Sequence, residues 1–190
     1  MSKIRVISGT ARGRRLKLVP GDITRPITDR VKESLFNILQ QDIANCVFLD
    51  LFAGTGSVGI EALSRGAAKV RFVDKNRPAI GTLRKNLEIT GLSANAEIFQ
   101  VDAFSMLRRN PDERFDYIFI APPQYHDLWS KALELIDAYP NWGVDDGWVI
   151  AQIDPIEYKT LELKNFSEFD KRKYGSTLLL FFERNIADDG

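Results

Sequence analysis

A glycine-rich turn between a strand and a helix constrains the fold of this chain more than any other feature. Phe48-Leu49-Asp50-Leu51 has the apolar pattern of a buried strand, and Gly54-Thr55-Gly56-Ser57-Val58-Gly59 follows it with G-x-G-x-x-G spacing. Glycines at this spacing allow the backbone to turn tightly and a ligand to approach it closely. The sequence therefore predicts an α/β fold that binds a nucleotide-like cofactor at this turn.

Strand and helix patterns alternate along the chain from Val47 onward. We predict strands at residues 47–51, 69–74, 97–101, 116–120 and 147–153, and helices near residues 57–65, 77–90, 103–109 and 127–138. This alternation indicates a parallel sheet with helices on both faces. Residues 165–174 and 177–184 then follow as two strands joined at Gly175. The predicted fold is Rossmann-like: a mostly parallel seven-stranded sheet with an antiparallel C-terminal hairpin, as in class I S-adenosylmethionine-dependent methyltransferases.

Basic residues are concentrated at the N-terminus, although the net charge of the chain is zero. Residues 1–33 hold nine Lys or Arg against three acidic residues, a local charge of +6. We predict that residues 1–26 form a basic β-hairpin arm and linker, with strands at 4–8 and 15–19, and that residues 27–190 form the methyltransferase domain. Such asymmetry favours a polyanion as partner, and a solvated hairpin without a partner is the alternative. The candidate residues for binding this polyanion are Arg5, Arg12, Arg14, Arg15, Arg25 and Arg30.

A helix is predicted to begin at Thr28 or Asp29, one of which would cap it. Arg30 and Lys32 lie in its first turn, where the helix dipole is unfavourable to cations. A phosphate bound nearby would explain both side chains, and so would a solvated surface.

Acidic residues end three successive predicted strands: Asp50, Asp74 and Asp102. Asp50 would repel the pyrophosphate of a dinucleotide, whereas S-adenosylmethionine carries an ammonium and a sulfonium group that tolerate it. Asp74 could accept hydrogen bonds from ribose hydroxyls and Asp102 could reach the adenine amino group. Capping of the following helices is the alternative role for Asp74 and Asp102. The candidate cofactor-binding residues are Asp50, Phe52, Gly54, Thr55, Gly56, Gly59, Asp74, Lys75, Asp102 and Ala103.

A Pro-Pro turn follows the strand predicted at residues 116–120. Proline has no backbone N–H, so carbonyl oxygens around Pro122 are free to accept a hydrogen bond from an exocyclic amine. Tyr125 or Trp129 could stack on a base, although a core position is favoured for Trp129, and Asp127 is predicted to cap the next helix. The candidate catalytic residues are Ala121, Pro122, Pro123, Gln124 and Tyr125.

These motifs resemble the bacterial 16S ribosomal RNA guanine-N2 methyltransferase D family over nearly the whole chain. The resemblance implies that S-adenosylmethionine binds at Asp50 to Gly59, Asp74 and Asp102, and that guanine N2 of small-subunit RNA accepts the methyl group. The motifs that carry it are Ile7-Ser8-Gly9, Arg12-Gly13-Arg14, Arg25-Pro26, Thr28-Asp29-Arg30-Val31, Leu35-Phe36-Asn37, Asp50 to Gly56 with Gly59, Glu61 to Ala67, and Val73-Asp74-Lys75.

The motif around Pro122 and Pro123 departs from the pattern of that family, which has Asp or Asn before the prolines and an aromatic residue after them. This chain has Ala121 and Gln124 at those positions. Loss of one hydrogen bond to the target amine costs ~1–3 kcal/mol, or roughly ten- to more than a hundredfold in rate. One alternative is therefore a catalytically weakened RNA-binding relative that keeps the cofactor pocket. The G-x-G-x-x-G spacing separately leaves open a nicotinamide-dependent oxidoreductase.

Composition and residue spacing exclude several other classes of protein. No apolar run approaches the ~18 residues of a membrane span, and no cluster of His, Cys and Asp has metal-ligand spacing. Cys46 is the single cysteine and is expected to be a core residue, compatible with a reducing cytosol. We therefore expect a soluble, cytoplasmic protein without a metal, whose partner is 16S ribosomal RNA or an assembling small ribosomal subunit.

Overall fold

The computed structural model describes residues 4–21 and 26–185. Two compact units, Met1–Ala103 and Phe104–Gly190, make up the chain. The boundary predicted near residue 26 does not coincide with this division and stays a prediction. In the described part of the chain, no helix has both the length and the apolar character needed to cross a membrane.

The helices and strands follow the order predicted from the sequence. They are α1 (Asp29–Leu39), β1 (Val47–Asp50), α2 (Ser57–Ser64), β2 (Lys69–Val73), α3 (Arg77–Thr90), β3 (Ala96–Phe99), α4 (Ala103–Leu107), β4 (Phe115–Ile120), α5 (Leu128–Ala138), β5 (Gly143–Ile153), β6 (Phe166–Tyr174) and β7 (Thr177–Arg184).

The first unit contains the parallel strands β1, β2 and β3, with β2 paired to both of the others. Phe48, Leu49 and Phe72 are fully buried in these strands and supply much of the apolar area that stabilises the unit. Helix α1 begins at its predicted cap, because the Thr28 Oγ1 accepts a hydrogen bond from the Val31 N–H at 3.3 Å. Cys46 is buried, in agreement with the core position expected for it.

The second unit contains β4 and β5 in parallel and the antiparallel pairs β5–β7 and β6–β7. The C-terminal hairpin is therefore found where the sequence predicts it. Strand β5 begins at Gly143, four residues earlier than the predicted residue 147. The acidic segment before residue 147 has a loop-like composition, but Arg114 and Arg184 hold the Asp145 carboxylate at 2.6 and 2.9 Å and keep this segment extended.

The N-terminal arm, defined here as residues 4–21, is less regular than the predicted two-stranded hairpin. Its antiparallel pairing is an isolated bridge between Arg5 and Arg15. Two backbone hydrogen bonds flank this bridge, from the Val6 N–H to the Arg14 carbonyl oxygen and from the Leu16 N–H to the Ile4 carbonyl oxygen, both at 2.9 Å. The N–H groups of Ile7 and Ser8 instead donate to the Glu61 carboxylate at 2.8 and 3.0 Å. The arm therefore pairs in the predicted antiparallel sense over a short stretch, and regular strands do not extend over residues 4–8 and 15–19.

Candidate active site

The glycine turn between β1 and α2 is shaped by close packing of the helix against the sheet. A Cβ atom on Gly59 would lie 2.3 Å from a ring carbon of Phe72, and one on Gly56, whose φ is +78°, would lie 2.3 Å from a methyl carbon of Leu83. By contrast, a Cβ on Gly54 would meet no atom within 4 Å. The turn is therefore packed tightly on its inner side and open at Gly54, which suits a bound ligand.

Asp50 ends β1 beneath this turn and is 2% exposed. Its Oδ2 accepts a hydrogen bond from the Gly59 N–H at 3.1 Å. Burial raises the pKa of the Asp50 carboxyl to about 7, the Gly59 hydrogen bond opposes this shift, and the charge of Asp74 adds to it. From the sequence alone, Asp50 is expected to carry a fixed negative charge. The structure instead makes its charge depend on a partner, because a cationic ligand group would offset the cost of burial.

Asp74 ties the glycine turn to the end of β2. Its Oδ2 accepts a hydrogen bond from the Gly54 N–H at 2.9 Å, and its Oδ1 accepts one from the Asn76 N–H at 2.8 Å. Helix α3 is capped by Asn76, which accepts from the Ala79 N–H at 3.3 Å, so the capping alternative for Asp74 is wrong. Each carboxylate oxygen keeps a second lone pair that can accept a ribose hydroxyl.

The remaining predicted cofactor residues lie around the same sheet edge of the first unit. Asp102 directly precedes α4 and is half-buried, while Lys75 follows β2 and is exposed. Thr55 lies in the glycine turn, where its Oγ1 accepts a hydrogen bond from the Ser57 N–H at 3.3 Å. Phe52 is half-buried and Ala103 is buried. The carboxyl ends of parallel strands are where open α/β sheets bind ligands.

Lys32 and Glu61 form a buried ion pair that sequence analysis missed. Both side chains are fully buried, and the Lys32 Nζ lies 3.5 Å from the Glu61 carboxylate. The ammonium also donates to the Arg5 carbonyl oxygen at 2.6 Å and to the Ser57 Oγ at 2.9 Å. Burial lowers the pKa of the Lys32 ammonium and Glu61 opposes that shift. The suggestion that Lys32 faces a phosphate or solvent is therefore wrong.

Asn86 is a second buried polar residue that links the arm to the glycine turn. Its Oδ1 accepts a hydrogen bond from the Lys17 N–H at 2.7 Å. Its Nδ2 donates to the carbonyl oxygens of Lys17 at 3.0 Å and of Thr55 at 2.9 Å. The sequence does contain a signal for such a residue, because Asn86 is a polar residue on the apolar face of its helix. The same holds for Glu61 in α2.

The arginines of the arm differ in their surroundings. Arg5 pairs with Asp29 at 2.9 Å, whereas Arg12, Arg14 and Arg15 are exposed. Arg30 at the start of α1 is also exposed. Within residues 4–21 and 26–185, Arg12, Arg14, Arg15 and Arg30 have no acidic partner in an ion pair. Arg25 lies outside the described residues.

The Pro-Pro segment follows β4 in the second unit. Ala121, Pro122 and Gln124 are half-buried and Pro123 is exposed. Tyr125 is 65% exposed and has a φ of +68°, a conformation that non-glycine residues rarely adopt.

Two acidic residues after β5 hold Tyr125 in this conformation. The Tyr125 N–H donates to the Glu157 Oε1 at 2.8 Å, and its hydroxyl donates to the Asp154 Oδ2 at 3.1 Å. Neither acid is predicted from the sequence as a site residue. The signal was available, because Asp154 directly follows β5 as Asp74 directly follows β2. An exposed aromatic ring fixed in this way is a suitable platform for a base.

Asp127 and Trp129 follow the Pro-Pro segment in the sequence, and the structure tests the role predicted for each. Asp127 has a φ of +54° and makes no side-chain cap on α5, so its predicted role as a cap is wrong. Its carboxylate instead pairs with the Lys159 Nζ at 3.0 Å. Trp129 is 1% exposed and lies in the core, as favoured from the sequence.

The family described as conserved hypothetical protein 95 matches residues 4–183. The chain belongs to this family. It is 42% identical over 153 residues to the putative rRNA methyltransferase YlbH of Bacillus subtilis, covering 80% of this chain and 83% of YlbH. It is 38% identical over 142 residues to ribosomal RNA small subunit methyltransferase D of Haemophilus influenzae, covering 74% and 73% of the two chains. The methyltransferase D resemblance drawn from the motifs is confirmed.

The solved structure of the putative methyltransferase yhhF from Escherichia coli matches with a TM-score of 0.85 and 31% identity, covering 96% of this chain and 98% of that chain. This likeness confirms the predicted class I methyltransferase fold, with its mostly parallel seven-stranded sheet and antiparallel C-terminal hairpin. In the parts of the chain that the structure describes, no group of three His, Cys, Asp or Glu residues could hold a metal ion.

Proposed function

We propose that this protein is an S-adenosylmethionine-dependent methyltransferase that modifies guanine N2 of 16S ribosomal RNA. The observation that carries the proposal is the buried Asp50 beneath the glycine turn, in a chain of the methyltransferase D family. A pyrophosphate placed at this turn would meet a buried carboxylate and raise its pKa further. The nicotinamide oxidoreductase is therefore disfavoured, whereas a cationic ligand fits the site.

The cofactor residues of the proposal lie in the first unit. S-adenosylmethionine supplies an electrophilic methyl group on its sulfonium. Asp50 would bind the cofactor ammonium, Asp74 its ribose hydroxyls, and Asp102 its adenine amino group. The open side of the turn at Gly54 leaves space for the ligand. Phe52, Thr55, Lys75 and Ala103 would complete the lining.

The acceptor residues of the proposal are Ala121 to Tyr125. Carbonyl oxygens beside Pro122 would accept a hydrogen bond from the guanine amine and would fix the orientation of the base. The exposed Tyr125 ring would stack on the base, with Asp154 and Glu157 fixing its direction. Gln124 offers an amide oxygen as a further acceptor. Methyl transfer of this kind depends on alignment more than on a strong base, so the absence of a carboxylate at residue 121 weakens the site without abolishing it.

A single-turnover assay tests this function. Labelled cofactor is mixed with undermethylated 16S ribosomal RNA, either naked or in assembling small subunits, and label in guanine is measured. We expect transfer to guanine N2. Cofactor binding without transfer would favour the catalytically weakened RNA-binding relative. Preference for a nicotinamide dinucleotide over S-adenosylmethionine would favour the oxidoreductase.

Ala121→Asp is expected to raise the single-turnover rate roughly ten- to a hundredfold, because it restores one charged acceptor for the target amine. Ala121→Leu is the matched control, since it adds similar bulk without an acceptor and should lower the rate. If both variants lose activity equally, the pocket is arranged for a different acceptor.

The arm is expected to bind RNA phosphates through its exposed arginines. Arg12→Ala and Arg14→Ala should each weaken RNA binding regardless of sequence and reduce the slope of log affinity against log salt by about one. Lys164→Ala, which removes an exposed cation of the second unit, is the control. An RNA affinity that barely changes between low and physiological salt would contradict this assignment.

The other elements of the proposal follow from its substrate. The partner is 16S ribosomal RNA or an assembling small ribosomal subunit, and the location is cytoplasmic. Residues 1–26 act as the RNA-binding arm with its linker, and residues 27–190 as the methyltransferase domain.

A further inference from the structure

We infer that the RNA-binding surface continues from the arm onto the exposed face of α3, with Gly81 at its centre. This inference rests on the proposed function and adds a second element to its RNA interface. Three observations within the first unit carry it: an unexplained glycine, a set of cations without acidic partners, and the attachment of the arm to the same helix.

Gly81 lies in the interior of α3, where glycine destabilises a helix relative to alanine. A Cβ atom at this exposed position would meet no atom within 4 Å. Gly59 in α2 is the opposite case, because a Cβ there would collide with Phe72. Packing within the described chain therefore explains the glycine of α2 and leaves that of α3 unexplained. A partner that approaches the helix backbone closely would explain it.

Three cations surround Gly81 on the same face of α3. Arg77, Arg84 and Lys85 lie four residues before, three after and four after Gly81, which are the spacings of helix neighbours. All three are exposed, and among the residues described none has an acidic partner in an ion pair.

Two other cations of the first unit are paired with acidic residues. Arg65 pairs with Glu61 at 2.8 Å, and Arg71 pairs with Glu97 at 3.1 Å. On the α3 face the exposed acid is Glu88, so the face keeps a net positive charge. A face of unpaired cations around an open helix backbone fits a polyanion with regularly spaced phosphates.

The arm is attached to the buried side of α3. Asn86, which is fully buried and follows Lys85 in the sequence, holds the backbone of Lys17 through two hydrogen bonds of 2.7 and 3.0 Å. The exposed side chains of Arg14, Arg15 and Lys17 therefore lie on an element that is fastened to α3. One strand of RNA could contact both elements.

The test uses Gly81→Gln, which fills the open space with a neutral side chain, and the double variant Arg84→Ala, Lys85→Ala. Binding of undermethylated 16S ribosomal RNA is measured over a range of salt, together with S-adenosylmethionine affinity and thermal unfolding. We expect Gly81→Gln to weaken RNA binding about tenfold, or ~1.4 kcal/mol, because the new side chain would block close approach of the RNA backbone to the helix. Its melting temperature should rise, and its cofactor affinity should stay unchanged.

The double variant is expected to lower the salt slope by about two. Lys131→Ala on α5 is the matched control, since it removes an exposed helical cation of the second unit. Wild-type RNA affinity in all α3 variants, with weakened binding in Arg12→Ala, would overturn this inference and leave the proposed function intact. A wild-type protein that neither binds nor methylates the RNA would overturn both.

Discussion

Replacing Glu61 by alanine is expected to lower the free energy of unfolding by about 3–5 kcal/mol, because it leaves the buried Lys32 ammonium without its carboxylate. The same change removes the acceptor of the Ile7 and Ser8 N–H groups, which hold the arm. Unfolding in urea gives the free energy, and limited trypsin digestion at Arg12 reports release of the arm. Glu33→Ala, which removes an exposed acid of α1, should change stability by less than about 0.5 kcal/mol.

A double variant separates the contribution of the buried ion pair to stability from that of side-chain packing. Lys32→Met combined with Glu61→Leu removes both charges, so no uncompensated charge is left in the interior. It is expected to lose less stability than Glu61→Ala alone. A loss below about 1 kcal/mol for Glu61→Ala would show that this pair contributes little to the fold.

Asp50→Asn is expected to stabilise the unliganded protein at alkaline pH. Burial raises the pKa of the Asp50 carboxyl from its ordinary value of 3.8 to about 7. The folded protein therefore binds more protons than the unfolded chain between these values, and its stability falls as the pH rises through this window. Asparagine is uncharged and can still accept from the Gly59 N–H. At pH 8 the gain should be at most about 4 kcal/mol, measured by urea unfolding.

The same variant is expected to lose cofactor affinity roughly ten- to a hundredfold, because a charge-assisted hydrogen bond to the ammonium is lost. Calorimetric titration with S-adenosylmethionine at pH 8 measures this loss, with Asp42→Asn as an exposed acidic control. Wild-type affinity should also rise between pH 5 and pH 7, whereas that of Asp50→Asn should stay flat. Equal affinity of the variant and the wild type at pH 8 would contradict the role proposed for Asp50.

The cofactor turn was predictable because its signals are local. Strand character at Phe48, glycines at fixed spacing and an acid at each strand end are all visible within short windows of the sequence. Close packing of Gly59 on Phe72 then produces the geometry that the spacing predicts.

The contacts that were missed join residues far apart in the sequence. In the sequence, Lys32 looks like a surface cation at the start of a helix. It is buried because it forms an ion pair with Glu61. Asp154 and Glu157 likewise reach Tyr125 from about 30 positions away. Composition and periodicity carry no information on such pairings, so the arm was predicted as a self-contained hairpin.

The attachment of the arm also fixes the order in which the native protein can form. Residues 7–17 leave the ribosome before their partners, since Ser8 bonds to a residue 53 positions later and Lys17 to one 69 positions later. The arm therefore cannot reach its native conformation until α3 has been synthesised, in contrast to the usual progress of folding from the N-terminus. These long loops are also slow to close. Residues 7–17 are consequently among the last parts of the first unit to fold.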